Sequence, residues 1–414
     1  MYLPKTFFLV IFLFAGSGCS QRTEIVIPEH IKDLNNLTVY PADAKPAVTI
    51  RFIEEYTFGD TEEAIIGSAG DIAVDKAGRI YIEDPTRGHE AIYVFQPNGD
   101  FLTSIGREGK GPGEFYYISA IQVQSNHLFV FDLGQQSIHV FSLDWNLQQR
   151  FPLDQTILFS RESWSDIEEL KMYSAPNTGY VRSDGKIIGG FIDIEQDEDS
   201  LSNRKIHFYL FDENGKLYRS AGKLFEQRAT GYLNIHPTVY LFPFLRKSLR
   251  TVSTTDSIYS AWTEDFLIKV YSPDGVYQRA IYYPVKKRSL ARDDILLKKY
   301  LREKEETALS NRRLMAGHRD RIRILSEVMP DTWPALENLL IDDQDRLWVS
   351  TITDENDTYD WWVLQNSGEL ITKFTWPRNR QIEAVKNGKI YTRETDPETG
   401  LQQVVRYGFE LEER

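Results

Sequence analysis

Polar side chains that could bind a ligand are concentrated in four short runs of the sequence. These candidates are Asp84, Arg87 and His89 in EDPTRGHE, Arg107 in the glycine-rich GREGKGPGEF, Asp132 and Gln135 in DLGQQ, and Trp262 and Glu264 in WTED. Together such groups can form a polar pocket, and acidic residues such as Asp84 and Asp132 leave a calcium site open. The alternative interpretation is that they are solvated loop charges and local turn ligands, whose ion pairs contribute only about a few tenths of a kcal/mol.

The sequence lacks the common motifs of hydrolytic enzymes. Its 7 histidines are scattered singly, without a metal-ligand spacing such as HExxH, and no GxSxG nucleophile motif occurs. We interpret His127, in a turn before a strand, and His139, within a strand, as structural. We therefore predict no cofactor, although a bound calcium ion remains an open alternative.

The run GREGKGPGEF, residues 106 to 115, raises the question of a phosphate-binding loop. Such a loop requires Gly, four residues, Gly-Lys-Ser/Thr and then a helix. Here Lys110 is followed by Gly111 and Pro112, and a strand follows that begins with tyrosine. The run is therefore predicted to be a corner between two strands.

Composition restricts the class of partner. The chain carries 48 basic and 61 acidic residues, a net charge of -13, and has no basic tail, so nucleic acid is not an expected partner. Aromatic residues make up 13% and charged residues 26%, which is typical of a packed, β-rich globular protein.

The first residues predict export. Lys5 precedes the apolar run FFLVIFLFAG, which is too short to span a bilayer and has the length of a signal-peptide core. Cys19, the only cysteine, follows small residues, and this arrangement resembles the lipobox of bacterial lipoproteins, although Gly16 stands where leucine is usual. The resemblance implies a signal peptide over residues 1–18, a lipid on Cys19 and a tether over residues 19–46. The alternative is a free thiol in an ordinary secretory signal.

The position after the cysteine bears on location. The residue after Cys19 is Ser20 and not aspartate, which resembles the pattern of lipoproteins sent to the outer membrane of Gram-negative bacteria. The resemblance therefore implies an outer-membrane lipoprotein of the cell envelope, facing either the periplasm or the surface. Its acyl chains would attach it to the membrane by about 0.8 kcal/mol per buried methylene.

The rest of the chain repeats one plan. Apolar strands end four residues before a turn glycine at Gly99, Gly215, Gly275 and Gly368, and a second kind of hairpin precedes each. A fifth copy at residues 137–151 has Trp145 in place of the glycine, and six hairpins of the second kind predict six four-stranded units, the last of which lacks its outer strand. The strand at residues 48–59 can supply it and remove the open sheet edges. We predict an all-β, six-bladed β-propeller over residues 47–414.

Two stretches interrupt the repeat. Residues 154–177 are polar with a short helical pattern, whereas residues 285–330 show two apolar stripes at helical spacing, the second after Gly317. This second insertion has 13 basic and 7 acidic residues, a net +6, against -19 for the remainder. It is either a solvated helical hairpin packed on the propeller or a basic flap that docks an acidic partner or lipid headgroups or gates the channel.

The glycine-rich corner followed by IQVQSNHLFVFD resembles the NHL-type repeat, and the whole chain resembles six-bladed propeller lipoproteins of Bacteroidetes-type bacteria. This resemblance implies a lipid-anchored binding or assembly module for an envelope protein, a peptide or a glycan. Six-bladed relatives also include calcium-dependent lactonases and a zinc-dependent lyase, so the alternative is a metal-dependent hydrolase or lyase with its site at the channel mouth. Their metal ligands do not map onto residues of this chain.

Overall fold

The computed structural model describes residues 27–61, 64–86, 90–152, 178–192, 205–218, 222–229, 233–235, 238–309 and 312–413. Ahead of the first blade the chain forms α1 (Glu29–Lys32), β1 (Leu37–Val39), β2 (Val48–Phe58), β3 (Asp60–Thr61) and β4 (Ala64–Ile65). Strands β3 and β4 pair as a short hairpin.

Six antiparallel sheets then follow one another as the blades of a propeller. Blade 1 consists of β5 (Ile72–Val74), β6 (Ile80–Asp84), β7 (Ala91–Phe95) and β8 (Phe101–Ile105). Blade 2 consists of β9 (Ile118–Gln124), β10 (His127–Asp132), β11 (Ser137–Ser142) and β12 (Leu147–Pro152). Blade 3 consists of β13 (Thr178–Val181), β14 (Ile187–Ile192), β15 (Lys205–Phe211) and β16 (Lys223–Arg228).

A small hairpin, β17 (Leu233–Ile235) with β18 (Thr238–Tyr240), leads from blade 3 to the second half of the ring. Blade 4 consists of β19 (Ser248–Val252), β20 (Ile258–Trp262), β21 (Leu267–Tyr271) and β22 (Tyr277–Tyr282). Helices α2 (Ile295–Ala308) and α3 (Arg312–Val328) separate it from blade 5. Blade 5 consists of β23 (Leu336–Ile341), β24 (Leu347–Ile352), β25 (Thr358–Leu364) and β26 (Leu370–Pro377). Blade 6 consists of β27 (Gln381–Lys386), β28 (Lys389–Thr395), β29 (Gln402–Glu413) and the N-terminal β2.

The apolar second strands explain why the sheets stack. Every residue of β6 and of β24 is buried, so both faces of these strands are covered, as the apolar runs IYI and LWV within them require. Between blades 1 and 2, for example, Tyr81 and Val94 lie in the same buried cluster as Leu128 and Val130. The six-bladed, all-β prediction is confirmed.

The two ends of the chain close the ring by pairing with each other. Strand β2 runs antiparallel to β29, with Ile50 opposite Leu411 and Phe58 opposite Val404. The Phe52 ring also lies 4.9 Å from that of Trp376 in blade 5, which attaches the closing strand to the neighbouring blade. The predicted closure is therefore correct.

Hydrogen bonds between hairpin turns add a second connection from blade to blade. The Ser183 amide in blade 3 donates to Asp256 in blade 4 over 2.9 Å, and the Thr254 amide in blade 4 donates to Asp345 in blade 5 over 2.7 Å. These turns join the first and second strands of each blade, so they lie on the opposite end of the propeller from the predicted site loops. Their hydrogen bonds stiffen the end of the ring that does not carry the candidates.

The described part of the predicted tether, residues 27–46, is packed against the propeller. Ile31 in α1 is 0% exposed, and β1 adds a parallel fifth strand to blade 4 beside β22. Tyr40 stacks on Tyr283 with ring centroids 5.1 Å apart. Because these apolar side chains are buried, residues 27–46 are attached to the propeller, and the prediction of a tether is wrong for this part.

The helical insertion also forms as predicted, with a difference at its second helix. This helix, α3, begins at Arg312 and contains Gly317, because a single glycine costs a helix only about 1 kcal/mol. Asp294 caps α2 by accepting the Leu296 amide over 2.8 Å. Leu297 and Ile324 are buried in a cluster with Trp333, Ile352 of blade 5 and Phe244 of the segment before blade 4, so the hairpin is packed on the propeller. The other predicted insertion, residues 154–177, lies outside the described residues.

None of the helices in the described ranges has the length and apolar character needed to cross a membrane.

Candidate functional site

The predicted site residues that the structure describes lie at strand ends or in loops at one end of the propeller. They lie between the second and third strands of a blade or at the junction from one blade to the next, and these two kinds of loop share an end because strand direction alternates. The structure does not describe Arg87 and His89, which lie in residues 87–89. The remaining candidates divide into two groups with different roles.

Asp84 and Asp132, the proposed acidic ligands, are buried acceptors of backbone hydrogen bonds. Asp84 accepts the Gly67 amide over 3.0 Å and the Thr86 amide over 2.9 Å. Asp132 accepts the amides of Tyr116 and Tyr117 over 2.9 and 3.1 Å. Both carboxylates therefore hold loops in place, which is the alternative interpretation given above.

Gln135 and Arg107 belong to the same framework. The Gln135 side-chain amide donates to the Glu114 carbonyl oxygen over 2.7 Å and to Asp132 over 2.8 Å. Arg107 donates to the Glu114 carboxylate over 2.7 Å, and Glu114 in turn accepts the Gly111 amide over 2.8 Å. These contacts make the glycine-rich run a cross-braced corner, as predicted.

The buried histidine agrees with its predicted structural role. His139 is 0% exposed, hydrogen-bonds Ser137 through Nε2 over 3.1 Å and lies beside the Phe115 ring. Burial and the nearby Arg150 lower the pKa of His139 to about 4. It is therefore neutral at physiological pH.

The residues present do not fit a calcium or zinc site. Calcium binds six to eight oxygen ligands, but the oxygens of Asp84 and Asp132 are directed to backbone amides. Within the described part of the chain, no group of three or more His, Cys, Asp or Glu residues is placed to hold a metal ion.

Two further acids, Asp71 and Glu83, lie beside each other in blade 1; Glu83 belongs to the run EDPTRGHE and is buried, whereas Asp71 is exposed and was not predicted. Asp71 accepts the Ile121 amide of the next blade over 2.8 Å, and Glu83 accepts the Asp71 amide over 2.8 Å. Burial raises the pKa of Glu83 to about 7, where the Asp71 charge adds to the effect. Asp71 therefore links blade 1 to blade 2, and Glu83 holds the Asp71 backbone within blade 1.

Trp262 and Glu264, by contrast, line a cleft of about 490 Å³ between blades 3 and 4. Its volume lies in the range of small-ligand sites. It is larger than a groove of about 410 Å³ lined by Tyr300 of α2. The lining comes from three segments: His30 in α1, the ends of β15 and β16, and blade 4 from Ser248 to Tyr271.

Neighbouring cations neutralise each of the three acids of this cleft. Burial alone would raise the pKa of Glu226, but hydrogen bonds from Lys205 and Lys223, the latter over 2.8 Å, lower it to about 2. Glu264 accepts hydrogen bonds from Arg246 and Lys287, and these hold its pKa below the usual value against the opposing effect of burial.

The third acid, Asp265, completes this pattern. It is 3.0 Å from the Lys287 ammonium and 3.0 Å from Nε2 of His30. None of the three acids of the cleft is therefore available to bind a cation.

Two further cations of the cleft are not neutralised in this way. Burial, followed by repulsion from Arg228, lowers the pKa of Lys269. Arg228 lies over the Trp262 ring, with 5.3 Å between the guanidinium carbon and the ring centroid. No acid within the described residues pairs with Lys269 or Arg228, so the cleft carries unbalanced positive charge beside an aromatic side chain.

Polar groups between the two blades fix the floor of the cleft. The Gln227 side chain of β16 donates to the Ser260 hydroxyl of β20 and accepts from Arg250 over 3.2 Å. Gln227 and Ser260 are both buried. The bridge holds blades 3 and 4 in a fixed relation across the cleft.

Sequence reasoning missed Lys269, although the repeat contained a signal for it. Lys269 pairs with Ser260 on the third strand of blade 4. The equivalent pairs of the other blades place Tyr93, His139, Tyr209, Trp362 and Val405 at this position. Lysine is the only flexible, charged side chain among the six, and it interrupts the otherwise apolar run FLIKVY.

Comparison with known proteins supports the fold. Residues 30–220 match the model of the family DUF5128, described as a 6-bladed beta-propeller. A Bacteroides fragilis structure named "Putative exported protein" is 10% identical, with 90% of this chain and 99% of that chain covered and a TM-score of 0.52. A Bacteroides vulgatus member of the DUF4221 family is 11% identical, with coverage of 88% and 99% and a TM-score of 0.52. No curated protein matches the chain.

Proposed function

We propose that this protein is a binding module of the bacterial cell envelope, anchored through a lipid on Cys19, and that its ligand occupies the cleft between blades 3 and 4. The observation that carries the proposal is the cleft itself. It combines a volume of about 490 Å³ with Trp262, Tyr271 and two cations that no described acid neutralises. Aromatic surface with a few fixed polar groups is typical of ligand sites.

The rigidity of the surroundings supports binding. The Gln227–Ser260 contact joins the two blades at the floor of the cleft, and the ion pairs of Glu264 with Arg246 and Lys287 fix its rim. A site whose side chains are already held in place loses little conformational entropy when a ligand binds. A closed ring of blades supplies such a site without a moving part.

Anchoring is supported by the sequence and by a structural relative. The apolar run before Cys19 resembles a lipoprotein signal, and the propeller from Bacteroides fragilis bears the name of an exported protein. Metabolic labelling with a clickable palmitate analogue tests this part of the proposal. We expect label on the wild-type chain in the membrane fraction and none on Cys19→Ala, which should remain uncleaved or be released. Equal labelling of both chains would contradict the anchor.

Binding is tested with the full chain and its Trp262→Ala variant, each cross-linked in intact cells and purified under denaturing conditions. We expect a ligand recovered with the wild type to be lost with Trp262→Ala. The matched control is Trp145→Ala, because Trp145 lies in a turn at the opposite end of blade 2. Recovery unaffected by Trp262→Ala would place the ligand elsewhere and overturn the assignment of the cleft.

A further inference from the structure

The charge balance of the cleft between blades 3 and 4 indicates the chemistry of its ligand. Its three acids, Glu226, Glu264 and Asp265, are each paired with cations. Lys269 and Arg228 are the cations left over, and Lys269 is half-buried. A partly buried ammonium without a counter-ion is costly, so a ligand anion that reached it would relieve that cost.

The position of Lys269 makes a purely structural role a poor explanation. At this point of the third strand, blades 3, 5 and 6 place Tyr209, Trp362 and Val405, which lie in buried apolar clusters. In blade 4 the residue is Lys269, paired with Ser260. A flexible charged side chain thus occupies this position only in the blade that carries the cleft, and a local departure of this kind is typical of a functional site.

The charge balance of the cleft also limits which class of anion can bind. An amino acid or a peptide N-terminus carries an ammonium group, which requires an unpaired carboxylate, and each acid of the cleft is already engaged. A ligand with negative charge and no positive charge fits better. The hydroxyls of Ser248 and Tyr271, the Trp262 ring and the space of about 490 Å³ suit a sugar ring, which presents both hydroxyls and apolar C–H groups.

We propose that the cleft between blades 3 and 4 binds a sugar acid, whose carboxylate lies between Lys269 and Arg228 and whose ring lies against Trp262. Arg228 can offer two parallel N–H donors to a carboxylate, and Lys269 adds a point charge from the opposite wall. This inference rests on the proposed function, because it gives the ligand class for the same cleft.

Isothermal titration calorimetry of the full chain in detergent tests the proposal with D-glucuronate, D-glucose as its neutral counterpart, and L-glutamate as a zwitterionic carboxylate. For a ligand of this size we expect a Kd of roughly 1 mM, near -4 kcal/mol. D-Glucose and L-glutamate should each bind at least about tenfold more weakly. Equal affinity for D-glucose would overturn the role of the carboxylate, and equal affinity for L-glutamate would overturn the preference for a sugar.

The deciding variant is Lys269→Met. Because blades 3, 5 and 6 hold Tyr209, Trp362 and Val405 at this position, Lys269→Met should fold with a melting temperature no lower than that of the wild type, while D-glucuronate affinity falls at least about tenfold. The control Lys76→Met changes an exposed lysine of a blade 1 turn and should leave the affinity unchanged. Unchanged affinity in Lys269→Met would refute the proposal.

These experiments distinguish a failure of the sugar-acid proposal from a failure of the proposed binding function. A cross-linked ligand that depends on Trp262, together with no D-glucuronate binding, would refute the sugar acid and leave the binding module in place. D-Glucuronate binding that Lys269→Met weakens and Trp262→Ala leaves unchanged would support the carboxylate contact and refute the ring contact.

Discussion

Substitution of Gly106 by alanine should destabilise the protein for two separate reasons that a control can resolve. Gly106 has a φ of +76°, and an added Cβ would lie 2.2 Å from Cε2 of Phe115 and 2.9 Å from the Gly113 carbonyl oxygen. The left-handed backbone costs a non-glycine residue about 1–2 kcal/mol. Overpacking against the fully buried Phe115 adds about 1–3 kcal/mol, so the free energy of unfolding should fall by about 2–5 kcal/mol.

Gly185→Ala is the matched control. Gly185 has a φ of +81°, but an added Cβ would meet nothing within 4 Å. Gly185→Ala should therefore lower the free energy of unfolding only by the cost of the left-handed backbone, about 1–2 kcal/mol. Urea unfolding followed by tryptophan fluorescence gives both free energies from the transition midpoints and slopes.

The contact with Phe115 can be tested directly by a double-mutant cycle. If the Cβ of Gly106→Ala collides with this ring, the variant should cost less in a Phe115→Ala background than in the wild type. Equal costs for Gly106→Ala and Gly185→Ala, or strict additivity with Phe115→Ala, would refute the packing of this corner.

Two further predictions concern the buried acid and the helical insertion. Burial raises the pKa of Glu83 to about 7 from a reference of 4.5, so the stability it contributes is complete below about pH 4.5 and is lost as pH rises through 7. Glu83→Gln cannot release this proton, so its free energy of unfolding should fall less between pH 5 and pH 8 than that of the wild type. Urea unfolding at the two pH values measures both, and an identical fall would contradict a buried, protonated Glu83. Leu297 of α2 is 0% exposed, so Leu297→Ala should cost about 2–5 kcal/mol, whereas Leu309→Ala, 69% exposed, should change stability by less than about 0.5 kcal/mol in the same assay. Similar costs would mean that the insertion does not pack on the propeller.

The blades were predictable because their signals are local. Turn glycines such as Gly99 and Gly275 have positive φ, and the strands that flank them are long enough to show their apolar character in the sequence. Ring closure followed from counting strands, since blade 6 was one strand short before β2 was added. Elements that depend only on short-range pattern and on strand number could therefore be derived.

The site was harder to predict because its chemistry depends on pairings between distant residues. Asp84 and Asp132 look like ligands in the sequence, but only the fold shows that backbone amides occupy their oxygens. An aspartate at the end of a strand can either bind a ligand or accept hydrogen bonds from backbone amides, and its residue type does not distinguish the two roles. Glu264 lines the cleft, and its neutralisation by Arg246 depends on contacts at the end of blade 4 that the sequence does not show.

Packing of the N-terminal segment was missed for the same reason. Leu37–Val39 is too short to be recognised as a strand, and its pairing partner β22 lies more than 200 residues further along the chain. Long-range β pairing adds order that no local window contains. The segment brings His30 to the rim of the cleft, where it contacts Asp265.

The most direct test of the account is a crystal structure of the protein with D-glucuronate. We predict that the carboxylate lies between Lys269 and Arg228, with the sugar ring against Trp262 and the Gln227–Ser260 contact intact. A sugar bound elsewhere on the protein, or a cleft that stays without ligand at saturating concentration, would contradict it.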